Sequence, residues 1–271
     1  MRIAIDLQGC QSEGSRSRGI GRYSTTLIKT LITSSDEHEI ILVSNKSMHC
    51  VKEKFISLIN ENSHRVKYFE WGSPRFPNSF SKSINYCKFV SKQIKSYAYS
   101  LLNADIILIT SFFEGFLDEA VVEFDINFDL PPIASIFYDL IPLINPTKYL
   151  DTNPDFKEFY LNKLISLENL DCLLSISNSS AREARKYLDI ETDKIFTIFA
   201  GFDCSIFKTY EEVSKSKNND IDSLGKYILY SGAGDPRKNL ERLIKAFSLL
   251  DRSLILAYKL VLVGKLLPEE I

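Results

Sequence analysis

Little in this sequence points to metal or disulfide chemistry. The cysteines number five (Cys10, Cys50, Cys87, Cys172 and Cys204), none stands close to another, and no CxxC occurs. That argues against a disulfide framework and a thiolate zinc site, and for a reducing compartment. The three histidines, His38, His49 and His64, all fall in the first quarter of the chain, and no pair has helical metal-ligand spacing. A basic excess is missing as well. Lys and Arg total 33 against 35 Asp and Glu, a formal net charge of -2, whereas a nucleic-acid binder carries a clear positive balance. No apolar run reaches the ~18 residues that a spanning helix needs, and the opening MRIAIDLQG has no signal-peptide core. These absences lead to the expectation of a soluble, cytoplasmic protein that does not bind nucleic acid.

What is present is ordinary globular material, 45% hydrophobic and 25% charged over 271 residues, enough for one or two cores. Short apolar runs alternate with helix-period segments. Strands are expected at 2–6, 40–44, 66–69, 105–109, 132–137, 172–176 and 195–200. Helices are expected at about 20–33, 48–59, 80–102, 155–169 and 180–188. Strands apolar throughout imply helices on both sheet faces, and the alternation implies right-handed βαβ units around a parallel sheet. The stretch 211–225 is charged and rich in Ser and Asn, which reads as a linker. The expected organisation is therefore a domain over 1–210, a linker over 211–225 and the start of a second domain over 226–271. In that last part a strand at 227–230, one helix at about 239–250 and a strand at 259–263 are expected.

Ligands of such sheets bind beyond the carboxyl ends of the strands, so the residues there carry the chemistry. After the first strand, Gly19 and Gly21 stand where a loop becomes a helix, with Arg16, Arg18 and Arg22 adding charge. Backbone N–H groups can approach a ligand there, or the loop simply caps the helix. Ser111, Glu114 and Gly115 follow the fourth strand, in a ligand-facing turn or a solvated one. Asp139 follows the fifth, where a carboxylate can accept a proton or close an Asx turn. In SISNSSAREA, Asn178 or Ser179 can cap a helix, with Glu183 in support, and Gly201 again follows a strand directly. The sharpest stretch is SGAGDPRKNL. Gly232 and Gly234 flank Ala233, Pro236 turns the chain, and Arg237 and Lys238 precede a helix. Arg can hold phosphate oxygens as a fork and Lys as a point charge, beside the free N–H groups of a helix start. Neither GxxxxGK[ST] nor GxGxxG is present, so NTPase and dinucleotide chemistry are poorly matched.

Six stretches run in order from residue 18 to residue 247: RGIGRY, TSFFEGF, YDLIPLINPTKYL, SISNSSAREA, FAGFDCSIF and YSGAGDPRKNLERLIKAF. Together they resemble the retaining GT-B glycosyltransferases of glycosyltransferase family 4. The resemblance implies an α/β fold, with a GT-B-type Rossmann-like parallel-sheet domain helical on both faces and the first βαβ of a second such domain. It also implies transfer of a hexose from a nucleotide-sugar to a saccharide or lipid-linked saccharide acceptor, with retained configuration, no cofactor and no metal, in envelope polysaccharide assembly. By this resemblance Gly19, Gly21, Gly232, Arg237 and Lys238 face the donor diphosphate and Asp139 is the catalytic acid-base or orienting group. Arg22, Tyr23, Ser111, Glu114, Gly115, Tyr138, Asn178 and Gly201 line the acceptor side of the cleft. The helix at 80–102, with Lys82, Lys88, Lys92 and Lys95, either contacts a membrane surface peripherally or packs on the sheet with a solvated lysine face.

The sequence departs from the family pattern at three places. Tyr138 stands where many relatives carry His. Gly232 or Ala233 stands where some carry Arg. Glu269 and Glu270 are adjacent, a spacing unlike the family's paired glutamates. The expectation is a C-terminally truncated member, inactive alone. The alternative is a non-catalytic module that binds acceptor or pairs with a separate donor-domain chain.

Overall fold

Seven short parallel strands build one sheet in the order β3-β2-β1-β4-β5-β6-β7. The computed structural model describes residues 1–34, 36–74, 82–204, 206–209, 224–232 and 236–264. It divides the chain into two compact units, Met1–Asp203 and Cys204–Ile271. In the first unit β1 (Arg2–Asp6) is followed by α1 (Gln8–Gln11) and α2 (Gly19–Ser34). Then come β2 (Glu39–Asn45), α3 (Ile56–Glu61), β3 (Val66–Trp71), α4 (Lys82–Ser100) and β4 (Ile106–Ile109). β5 (Ile133–Phe137), α5 (Ile141–Ile144), α6 (Pro146–Tyr149) and α7 (Pro154–Glu168) precede β6 (Cys172–Ser175), α8 (Asn178–Tyr187) and β7 (Ile195–Thr197).

Alternate strand residues feed two cores, one on each face. Ala4, Ile41, Val43, Ile107 and Ile109 pack with Tyr99 of α4, Leu164 of α7 and Ala181 of α8. Ile5, Ile40, Leu42, Leu108 and Ile136 pack with Ile28 and Ile32 of α2 and with Phe55. Burial on both faces is why these strands read as unbroken apolar runs. The order reverses once, where the chain leaves β3 at one edge, passes β2 and β1, and sets β4 on the other side of β1.

Several expectations are corrected. The helix read over 48–59 is a 3-10 turn at Lys52–Lys54 and then α3, with Phe55 between them at φ -123°. Phe55 is fully buried, and leaving helical geometry there turns its ring into the core. The polar loop after β1 opens with α1, whose glutamines are buried and bonded. Gln8 donates to Asp6 and to the Val121 carbonyl, and Gln11 donates to the Asn45 and His49 carbonyls. The proline-stiffened turn after Asp139 forms α5 and α6, each with proline in its first turn. The last strand stops at Thr197, and Phe199 takes φ 58°, which takes the backbone out of extended geometry. The lysines of α4 do not share a solvated face: Lys95 is fully buried and paired with Asp6 at 2.7 Å.

In the second unit β8 (Tyr227–Ser231) and β9 (Lys259–Val263) pair in parallel. A 3-10 turn (Pro236–Lys238), α9 (Leu240–Ser248) and α10 (Arg252–Ala257) connect them. Two helices stand where the sequence suggested one. Asp251 adopts extended geometry, φ -56° and ψ 142°, and its carbonyl accepts from Leu254 and Ile255 to start a new helix. Residues 210–223, and with them nearly all of the expected linker, lie outside the described residues, as do Ala233, Gly234, Glu269 and Glu270.

Candidate functional site

Parallel strands bring their carboxyl ends to one rim of the sheet, and the loops that leave this rim hold the candidate residues of the first unit. The loop from Ser12 to Arg18 is held from beneath by two carboxylates. Glu114 accepts from Ser15 at 2.5 Å and from Ser111 at 2.6 Å. Asp118 accepts from the Ser12 hydroxyl at 2.6 Å and from the Glu13 N–H at 2.8 Å. Burial raises the pKa of Glu114, while its serine partners pull it back. Glu114 therefore faces inward as a clamp on the loop.

Gly21 belongs to the same device. A Cβ there would stand 2.6 Å from the Ser15 carbonyl oxygen and 2.7 Å from Arg16 Cα, and its N–H is given to that Ser15 carbonyl. Its smallness serves packing of the loop on α2. Gly19, two residues earlier, is exposed, and a Cβ there meets nothing within 4 Å. Arg22 is exposed on the same turn of α2.

Tyr23 and Tyr138 meet edge to face, with ring centroids 5.9 Å apart. The Tyr138 hydroxyl lies 3.0 Å from Ser24 Oγ and donates to the Thr110 carbonyl at 3.1 Å. Burial pushes its pKa far up, Ser24 opposing. Tyr23 reaches across to donate to the Phe199 carbonyl at 3.1 Å, tying α2 to the turn that holds Gly201. Gly201 and Asn178 are exposed.

Asp139 is half-buried, and its Oδ1 accepts from the Ile141 N–H at 3.1 Å, the Asx arrangement weighed from sequence. The neighbouring Leu140 N–H donates to Glu183 at 3.1 Å. Glu183 thus braces the Asp139 turn and does not support a helix cap. The cap of α8 is Ser177, which accepts from the Ser180 N–H. Asn178 and Ser179 are already helical, because Ser177 alone has the extended backbone that a cap needs.

Gly115 takes φ 97°, and a Cβ on it would lie 2.1 Å from the Ala120 carbonyl oxygen. In the second unit Gly232 follows β8 directly. A Cβ there would stand 2.8 Å from Lys238 Nζ and 3.1 Å from the Tyr230 hydroxyl. The bare glycine lets Lys238 lie over the strand end. Arg237 is exposed in the same 3-10 turn. Gly232, Arg237 and Lys238 therefore belong to one unit, and the other candidate residues to the other.

Sequence reading missed the ionic layer beneath the rim. Lys95 sits under β1 and donates to the Val122 carbonyl at 2.7 Å, its ammonium 4.0 Å over the Phe124 ring. The signal was available in Asp6, a carboxylate closing an apolar strand, but its partner lies 89 positions away. Among the described residues no group of three or more His, Cys, Asp or Glu is placed to hold a metal, and no helix is long and apolar enough to cross a membrane.

No family model matches the chain. It is 31% identical over 279 aligned residues to a serotype-specific mannosyltransferase WbdA of Escherichia coli, an alignment covering 100% of this chain and 32% of that protein. A second Escherichia coli WbdA is 29% identical, over 90% of this chain and 30% of its own length. The chain spans about a third of the length of these curated relatives. Among solved structures, Anabaena Alr3699/HepE in complex with UDP and glucose superimposes with a TM-score of 0.52 at 14% identity, over 100% of this chain and 62% of that one. The same protein in complex with UDP-glucose gives 0.53 at 14% identity, over 98% and 61%. At that identity the shared property is the fold: a GT-B-type α/β architecture, here a seven-stranded parallel sheet with helices on both faces and a further parallel βαβ.

Proposed function

We propose that this chain is part of a glycosyltransferase of the retaining GT-B type, family 4. It moves a hexose from a nucleotide-sugar to a saccharide or lipid-linked saccharide acceptor in envelope polysaccharide assembly. The observation that carries this reading is the alignment along the whole chain, at 31% identity, with a protein named as a serotype-specific mannosyltransferase. That name favours mannose as the hexose. The UDP and UDP-glucose bound to the structural neighbour favour a nucleotide-sugar donor.

The assigned roles follow from charge. The leaving nucleoside diphosphate gains negative charge in the transition state, and cations already in place stabilise that charge without reorganising. Lys238, lying over the bare strand end at Gly232, and Arg237 beside it supply the cations. Gly19 opens α2 with a backbone free of a Cβ toward the donor diphosphate, and on the acceptor side Arg22 and Asp139 present a guanidinium and a carboxylate at the strand rim. Asp139, held by the Ile141 N–H, orients or deprotonates the incoming hydroxyl. Peripheral contact with the inner face of the cell membrane belongs to the same reading, since a lipid-linked acceptor lies there.

The test is transfer from a panel of nucleotide-sugars to a mannose-terminated oligosaccharide, assayed with the full natural polypeptide and followed by NMR of the product linkage. Mannosyl transfer with retained anomeric configuration is expected. Inverted product would overturn the retaining assignment. Acceptor binding without transfer from any donor would favour the non-catalytic module instead.

A further inference from the structure

On the face of the sheet opposite Tyr23 and Tyr138, α4, α7 and the loop after β4 enclose an open cavity of about 520 Å³. That size lies within the ~300–1,000 Å³ usual for small-molecule sites. Phe89, Phe116 and Phe159 give it aromatic walls, and the Phe116 and Phe159 ring centroids stand 5.4 Å apart. Lys88, Lys92 and Lys163 bring ammonium groups, and Glu123, Asp155 and Glu158 bring an equal number of carboxylates. Asn162 adds an amide, which both donates and accepts.

The deepest charges are matched to each other. Lys163, its side chain 5% exposed, pairs with Glu123 at 2.6 Å. Lys88 is half-buried, 5.5 Å over the Phe159 ring and 3.5 Å from the Gly115 carbonyl. Burial and the neighbouring Lys163 charge both disfavour its ammonium form, so a ligand oxygen there relieves a standing cost. Asp155, Glu158 and Asn162 are exposed at the mouth.

This lining selects by elimination. An apolar ligand would desolvate ionised groups without replacing their hydrogen bonds. A simple anion would suit Lys88 and Lys92 but meet the carboxylates of Asp155 and Glu158. A cation would meet the lysines. A polyhydroxylated ring answers both signs, because each hydroxyl is a donor and an acceptor at once, and its C–H faces can lie against the phenylalanines. We propose that the cavity between α4 and α7 is a saccharide-binding site, which adjoins the rim only at the Gly115 loop and is otherwise built from α4 and α7 residues that the rim cluster does not use. The choice of mannose as one probe rests on the glycosyltransferase reading; the chemistry of the cavity does not.

Saturation-transfer NMR on residues 1–271 with mannotriose, maltotriose and chitotriose tests it. At least one trisaccharide is expected to receive saturation at its ring C–H protons. N162A and F159A are each expected to weaken that ligand about tenfold, with K245A, on an exposed face of α9, unchanged. Asn162 is exposed, so N162A keeps the fold, as circular dichroism will verify, even where F159A loosens α7. Failure of all three sugars to bind overturns the proposal, as does binding that N162A and F159A leave unaltered. Inorganic phosphate that perturbs Lys88 while no sugar binds overturns it in favour of an anion site. Because no donor is present, loss of transferase activity in the separate assay leaves this result standing, and the reverse also holds.

Discussion

At Gly115 a side chain meets two obstacles, the positive φ of 97° and the Ala120 carbonyl 2.1 Å from where its Cβ would be. Gly115→Ala is therefore expected to cost about 2–3 kcal/mol in urea denaturation, and a loss under ~0.5 kcal/mol would remove the strain argument. Its neighbour Glu114 has a pKa raised above 4.5 by burial. The folded state thus holds that proton more tightly than the unfolded state, and this group's contribution to stability is full below about pH 4.5 and lost as pH rises through the folded value. Glu114→Gln keeps an oxygen for Ser15 and Ser111 but cannot ionise. Its stability relative to the wild type should therefore improve as pH rises from 4 toward 7 in paired denaturation curves; a constant difference would contradict the shift. Lys238→Ala should lower turnover by about 3 kcal/mol of transition-state stabilisation in the full natural polypeptide, with a negligible change in kcat removing its role. Gly115 and Lys238 were singled out from the sequence because glycines and cations at strand ends are visible there. The inward aim of Glu114 was not visible, because it depends on Ser15, 99 positions away, as well as on nearby Ser111.

At the scale of elements, α4 shows where periodicity misleads. Its lysines repeat at helical spacing beside apolar residues, which reads as one wet stripe. Yet Lys95, with no exposed surface, faces the sheet and pairs with Asp6, 1% exposed. Removing one partner leaves a buried charge alone, so Lys95→Ala should cost about 3–5 kcal/mol, whereas Lys95→Met with Asp6→Asn should recover much of that loss. A chemical-denaturation double-mutant cycle measures the coupling, and additive losses would show that the pair is not the element's anchor. Most strands were legible to within two residues at each end, because burial on both faces demands unbroken apolar runs, though the strand read to residue 200 stops at Thr197. Helix breaks were less so. Phe55 and Asp251 interrupt helices for reasons of core packing and backbone geometry that local composition does not carry.

At the scale of the whole molecule the two units differ in how much they cover their strands. β1 and β2 are buried along most of their length, whereas four of the five residues of β8 are exposed. A two-stranded sheet has little independent stability, so amides of β8 and β9 should exchange with solvent faster than those of β1 and β4. Equal protection in hydrogen-exchange mass spectrometry would count against this. By itself the sequence determined the parallel α/β architecture and, to within a few residues, the strand positions. It could do so because two-sided burial leaves a local pattern of short apolar runs. Tertiary structure alone decided that Glu114 clamps the loop, that Glu183 braces Asp139, that Lys95 lies inside, and that α4 and α7 enclose a cavity of mixed charge. Each of these depends on side chains far apart in sequence, which crossovers of the sheet bring within hydrogen-bonding reach.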